Sequence, residues 1–229
     1  MHGKQFGSWA GTGERINTIK VFSAPDTNDV WKKVIILPPV GKMPQPNLAQ
    51  LQKNMQQEMQ NYFSEPVFTL NEDGGRTKYL NEDNITLTAD QFDCQEVGRI
   101  GRLYGGSHVM CVLVRQFRAY PPQILNLHIA LVETTSNRAV AELTANFDAS
   151  QQVVVLAADE YLQSRLARNY DLQSLDMLLG SPSEYCTFVS AQCCRALAES
   201  LRNNKDKINK GDMENKRFKK PTDSTDNKM

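Results

Sequence analysis

Five cysteines (Cys94, Cys111, Cys186, Cys193, Cys194) and three histidines (His2, His108, His128) are the side chains of this 229-residue chain best suited to nucleophilic or acid–base chemistry. A catalytic thiol needs a base within hydrogen-bond reach. His108 and His128 lie in strand-like stretches with no acidic residue close by in sequence to orient either ring. Cys111 alternates within an apolar strand, and Cys186 and Cys193 fall on a helix beside Phe188 and Val189, as small buried hydrophobes do. The adjacent Cys193 and Cys194 point to different helix faces and lack the C-x-x-C spacing of a chelating pair. Cys194, offset from the Cys193 face, is expected to be the most accessible thiol. An odd cysteine count without paired spacing also argues against a disulfide framework.

The acidic pairs Glu72-Asp73, Glu82-Asp83 and Asp159-Glu160 are neighbours in sequence and read as solvated charges, since acid–base work needs carboxylates in contrasting environments. The run Gly98-Arg99-Ile100-Gly101-Arg102-Leu103-Tyr104-Gly105-Gly106 invites a phosphate-loop reading. Phosphate cradles, however, place their glycines in the turn between a strand and a helix start. Here the glycines fall inside and at the end of a predicted helix. Gly98 and Gly101 are expected to allow close packing on a sheet, and Gly105 or Gly106 to end the helix. The residues therefore predict no catalytic, cofactor-binding or metal-ligating site.

The elements that would carry these residues are well marked. Val34-Ile35-Ile36-Leu37 is a short apolar run stopped by Pro38-Pro39, which fits a strand buried on both faces. Pro44 and Pro46 open a helix to about Phe63, with Leu48, Leu51, Met55, Met59, Tyr62 and Phe63 inward and Gln52, Lys53, Gln56, Gln57 and Gln60 on the other face. Pro66 to Leu70 reads as a second strand and Asn71 to Asn84 as an exposed loop. Thr88-Ala89-Asp90-Gln91 has capping-box spacing and predicts a helix through Phe92, Val97, Ile100 and Leu103.

His108 to Val114 is strand-like. Leu125, Leu127, Ile129 and Leu131 then alternate with Asn126, His128 and Ala130. After a Thr134–Asn137 turn, Ala139, Ala141, Leu143, Ala145 and Phe147 alternate with Arg138, Val140, Glu142, Thr144 and Asn146, completing a hairpin. A helix over about Gln152 to Asn169 follows. Ser181-Pro182-Ser183-Glu184 supplies an N-cap serine, a first-turn proline and a glutamate three residues after the cap for the last one.

The order β-α-β-α-β-β-β-α-α predicts an α/β (α+β) fold with a mixed, largely antiparallel sheet and helices on one face. The expected organisation is a loose leader over residues 1–29, one domain over 30–202 and a disordered charged tail over 203–229, where eight basic and five acidic side chains accompany few large apolar ones. The opposite, helix-free face of the sheet would present Asn126, His128, Glu142, Thr144 and Asn146 to a protein partner. Twenty-six basic and 26 acidic residues cancel, which argues against a dedicated nucleic-acid binder, and no apolar stretch approaches the length of a membrane helix. The start, Met1 to Phe6, lacks the apolar core of a secretory signal. Read literally this is a cytoplasmic chain, and membrane association would require a lipid anchor preceding this start.

Several of these segments resemble the domain of TolB's amino-terminal half, shared by CsgG-type and related bacterial envelope lipoproteins. The matching features are Val34-Ile35-Ile36-Leu37-Pro38, the helix and strand from Leu48 to Leu70, the glycine-bearing stretch Val97 to Val114, and the turn Leu131 to Val140 between two long alternating strands. Tyr120-Pro121-Pro122-Gln123 and Ser181-Pro182-Ser183-Glu184-Tyr185 are similar to an uncharacterised planctomycete-type branch of predicted lipoproteins. The resemblance spans about residues 30–200. It implies an envelope location and a non-enzymatic module that binds a protein partner in an assembly, with no cofactor and no catalytic residues to carry over. Two other readings remain open on the residues themselves. One is a small hydrolase or transferase with an unrecognised cleft. The other is a nucleotide-binding regulatory domain using Arg99, Arg102 and the Gly98–Gly106 segment.

Overall fold

The structure, a computed structural model, describes residues 4–5, 19–24, 32–63, 66–70, 85–88, 91–166 and 174–218. Three long strands form its centre: β8 (His108–Arg118), β9 (Ile124–Glu133) and β10 (Arg138–Asp148), joined as an antiparallel meander. On the β8 side, β3 (Val34–Ile36) and then β5 (Val67–Thr69) add in parallel, and β4 (Val40–Gly41) pairs with β8 beyond the end of β3. On the β10 side, β2 (Ile19–Ser23) and β1 (Lys4–Gln5) add in antiparallel fashion. The sheet order is β1-β2-β10-β9-β8-β3-β5, with β4 off this path.

The inner face is covered by α1 (Gln45–Tyr62), α3 (Gln152–Leu166) and α5 (Pro182–Phe218), with the short α4 (Leu175–Gly180) beside them. Leu125, Leu127, Ile129 and Leu131 of β9 and Ala141, Leu143, Ala145 and Phe147 of β10 are all buried there, as the alternation predicts. Phe188 of α5 closes this core against Phe147, Tyr161 and Tyr185, at centroid distances of 5.7, 5.5 and 6.0 Å. Ser181 caps α5 as expected: its Oγ accepts from the Glu184 N–H at 3.5 Å.

A one-residue bulge at Val140 makes the two alternating patterns agree. Arg138 pairs with Glu133 and Ala139 with Val132, but beyond the bulge Ala141 pairs with Leu131. Without that extra residue the apolar positions of β10 would face the polar positions of β9.

The mixed, mostly antiparallel sheet and the order of its main elements are those expected. The helices are not confined to one face, however. Helix α2 (Cys94–Leu103), together with the ribbon β6 (Thr86–Thr88) and β7 (Gln91–Phe92), lies on the outer face. Ile35, Val109, Cys111, Leu113, Ala130 and Val132 form a second core there with Ile85, Phe92, Val97 and Ile100. The reason is visible in β3 and the first half of β8. Those strands are apolar on both sides, and such strands need two covers.

Three further expectations are corrected. The leader expected over 1–29 contains β2, whose Ile19 and Val21 are only 2% exposed and belong to the inner core. The outer helix begins after Asp93, not at Thr88, and Asp93 Oδ1 accepts from the N–H groups of Gln95 and Glu96. Gln52, placed by its periodicity on the solvent face of α1, is buried. The helical backbone of α5 continues to Phe218, past the Asn203 boundary where the tail is expected to begin. Side chains from Asn203 onward, and residues 219–229 altogether, lie outside the described residues, as does the loop expected over Asn71 to Asn84.

Candidate docking face

The register of the meander arranges the outer face in rows, four of which run from apolar to polar, with Arg118, Ile124 and Asp148 beyond them. Val109, Val132 and Ala139 form the first, and Cys111, Ala130 and Glu142 the second. Leu113, His128 and Thr144 form the third. A second bulge, at Arg115, keeps Gln116 in line with Asn126 and Asn146 in the fourth. Helix α2 rests on the apolar end. Its Gly98 faces the Asn137 side chain, and Gly101 faces the methyls of Val109 and Thr134, so closely that no Cβ fits at either position.

The same helix is tied to the β9–β10 turn by Arg102, which donates to the Thr134 carbonyl and, at 2.6 Å, to Asn137 Oδ1. Asn137 holds the left-handed conformation, with φ of 53°, that such a tight turn requires and asparagine tolerates. At its other end α2 stops in a Schellman motif. Gly105 has φ of 68°, its N–H donates to the Arg102 carbonyl, and the Gly106 N–H donates to the Gly101 carbonyl. Every glycine of the Gly98–Gly106 run is thereby given a packing or capping task. None stands at the start of a helix, where a phosphate would sit.

The five residues expected to form an open polar face are brought together, but they are not equally free. Asn146 is exposed, while Asn126, Glu142 and Thr144 are half-buried. His128 is buried, only 5% exposed, beneath the Phe92 ring at a centroid distance of 4.9 Å. Its placement on a helix-free surface is therefore corrected: the β6–β7 ribbon lies over it. Its Nε2 is 3.8 Å from Glu142 Oε2. That neighbour holds the Glu142 carboxyl below the ordinary carboxylate range, against the opposing effect of partial burial. Asn126 Nδ2 donates to Asn146 Oδ1 at 3.5 Å. Asn126 Oδ1 and His128 Nδ1 are buried without a hydrogen-bond partner among the described residues.

Sequence reasoning found no acid near His128, because Glu142 reaches it across the strands. It also missed Phe92, Cys94 and Gln116 as neighbours of this face. The hairpin spacing narrows which residues meet, but the bulges at Val140 and Arg115 leave no mark in the pattern that fixes their place.

A cysteine, a histidine and a glutamate thus share the outer face, yet the thiols are not prepared as nucleophiles. Cys94, at the first turn of α2, is pushed up by burial and then by the charge of Glu142. Its Sγ lies 3.9 Å from the Phe92 carbonyl. Burial also pushes up Cys111 and Cys193 and raises Cys186 to about 12, and burial with the neighbouring Cys193 and Glu58 pushes up Cys194. Cys194, expected to be the most accessible thiol, is fully buried with Sγ 3.8 Å from the Met55 carbonyl. Cys94 alone of the five is not fully buried. Among the described residues no group of three His, Cys, Asp or Glu side chains could hold a metal ion, and no helix is long and apolar enough to cross a membrane.

No known protein family and no curated protein matches the chain. Among solved structures it is similar to PelC from Paraburkholderia phytofirmans, with 10% identity and a TM-score of 0.41 over 61% of this chain and 87% of that one. It is also similar to lipoprotein GNA1162 from Neisseria meningitidis, with 9% identity and a TM-score of 0.38 over 61% of this chain and 99% of that one. TolB from Acinetobacter baumannii gives 12% identity and a TM-score of 0.33 over 66% of this chain and 31% of that one. Likenesses this distant carry no conclusion about what this chain does.

Proposed function

We propose that this chain is a non-enzymatic binding module, part of a bacterial cell-envelope assembly, that docks a protein partner on the polar end of its outer face. The observation that carries this reading is the row Gln116–Asn126–Asn146 with Thr144 beside it. Among the described residues it is the part of the central sheet beyond α2 and the β6–β7 ribbon, and it is polar where the α2 end of the same face is apolar. Two buried polar atoms, Asn126 Oδ1 and His128 Nδ1, border it without protein partners among the described residues, and polar atoms so placed favour a polar partner or bridging water. The raised thiols support binding over catalysis, because a nucleophile needs the opposite shift. The envelope setting rests on the resemblance of residues 30–200 to the TolB amino-terminal and CsgG-type pattern.

The test is affinity recovery from the cells that make the protein, using wild type and an Asn126→Ala/Thr144→Ala/Asn146→Ala variant of matched folding. The reading expects a specific co-purifying protein to be lost with the variant. Equal recovery would exclude this face, and a turnover activity abolished by Cys94→Ser would exclude the non-enzymatic reading.

A further inference from the structure

Three glutamines of α1 stand at four-residue intervals, Gln52, Gln56 and Gln60, along one line of the helix. All three reach backbone groups at the β5 end of the sheet. In the parallel pair β3–β5 the Val34 N–H donates to the Pro66 carbonyl and the Leu70 N–H to the Ile36 carbonyl. That register turns Pro66, Phe68 and Leu70 toward β3 and leaves the N–H and C=O of Val67 pointing outward.

The next rung would need an N–H from residue 38 for the Leu70 carbonyl, but Pro38 has none. Gln52 Nε2 supplies it, donating to Leu70 O at 2.9 Å and to Ile36 O at 3.2 Å. Gln56 Nε2 donates to the outward Val67 carbonyl at 3.0 Å, and Gln60 Oε1 accepts from the outward Val67 N–H at 3.1 Å. A docking strand would use those same two groups.

We infer that Gln56 and Gln60 form an edge guard: they occupy the outward hydrogen-bonding groups of Val67 in β5 so that a second copy of this chain cannot extend the sheet there. Gln52 is separate in role, repairing the rung that Pro38 leaves open. The guard is independent of the docking face proposed above, which lies on the far part of the outer surface.

The test is sedimentation velocity on the full chain over a range of concentrations. Gln56→Ala/Gln60→Ala, judged folded by circular dichroism, is expected to self-associate about thirtyfold more strongly than wild type, since two backbone hydrogen-bonding groups are freed for a docking strand. Gln56→Lys/Gln60→Glu keeps a donor and an acceptor in place and should sediment as wild type. Adding Thr69→Pro to the alanine pair should restore wild-type behaviour, because proline on an outward edge position blocks a further strand. Gln60 is exposed, so Gln60→Ala alone retains the fold and gives the same comparison if the double variant does not. Wild-type sedimentation of the folded alanine variants would overturn the inference, as would association that survives Thr69→Pro.

Discussion

Among the described residues, the inner face of β8–β10 meets three helices along its length, whereas the outer face meets one short helix and a two-stranded ribbon at one end. Both faces come from the same strands, so the difference lies in which side chains the pleat sends each way. Inward, every β9 position from Leu125 to Leu131 is apolar. Outward, the sequence changes along each strand, from Val132 and Ala130 to His128 and Asn126. A uniform apolar stripe demands a continuous cover, whereas a graded one needs cover chiefly over its apolar part. Among the described residues, the remainder of that face is uncovered.

The contrast is sharpest in what each face tolerates. Phe188→Ala strikes the inner core where four aromatic rings meet, and it should cost about 3–5 kcal/mol in urea denaturation. A loss below about 1 kcal/mol would mean that the inner face is not the main source of stability.

Gly101→Ala probes the outer cover. A Cβ there runs into the Val109 and Thr134 methyls, so α2 must lift or those side chains must move. The expected loss is about 1–3 kcal/mol, with the signals of His128 and Phe92 shifting in NMR spectra while those of Phe147 and Phe188 hold. Equal shifts on both faces would show that the two covers are not separate.

Ser181→Ala removes a cap within the inner layer, and its long 3.5 Å contact sets the expectation near the low end of such caps, about 0.5–1 kcal/mol. An unchanged midpoint would assign no stabilising role to that contact.

A smaller effect should come from Glu142→Gln. The folded carboxyl titrates below the ordinary value of 4.5, so its contribution is present above that value and is lost as the pH falls through the folded pKa. Wild type should therefore be slightly the more stable at pH 6, and the gap should close on acidification below about pH 4. A gap that widens toward acid would reverse the assignment.

Much of this division can be read in the chain. The alternation from Leu125 to Phe147, the apolar spacing of α1 and the Ser181-Pro182 start each depend on local periodicity or capping, which neighbouring residues encode. What was hidden depends on distant residues. Gln52, Gln56 and Gln60 look like a solvent face until the outward groups of β5 and the missing N–H of Pro38 are set beside them. Asp93 displaces Thr88 as the cap because Gln91 and Phe92 are drawn into a strand. Ile19 and Val21 show a strand only when β10 offers an edge. His128 reads as an open-face residue because the ribbon that covers it precedes it by more than thirty residues. The polar row was legible residue by residue, but its extent was set by two bulges.

Site-specific photocrosslinking in the cells that make the protein would show whether the polar end of the outer face meets a partner. A photoreactive residue placed at Asn146 should give a discrete heavier adduct, and the same residue at the exposed Lys53 of α1 should give none. An adduct at Lys53 without one at Asn146 would contradict the account.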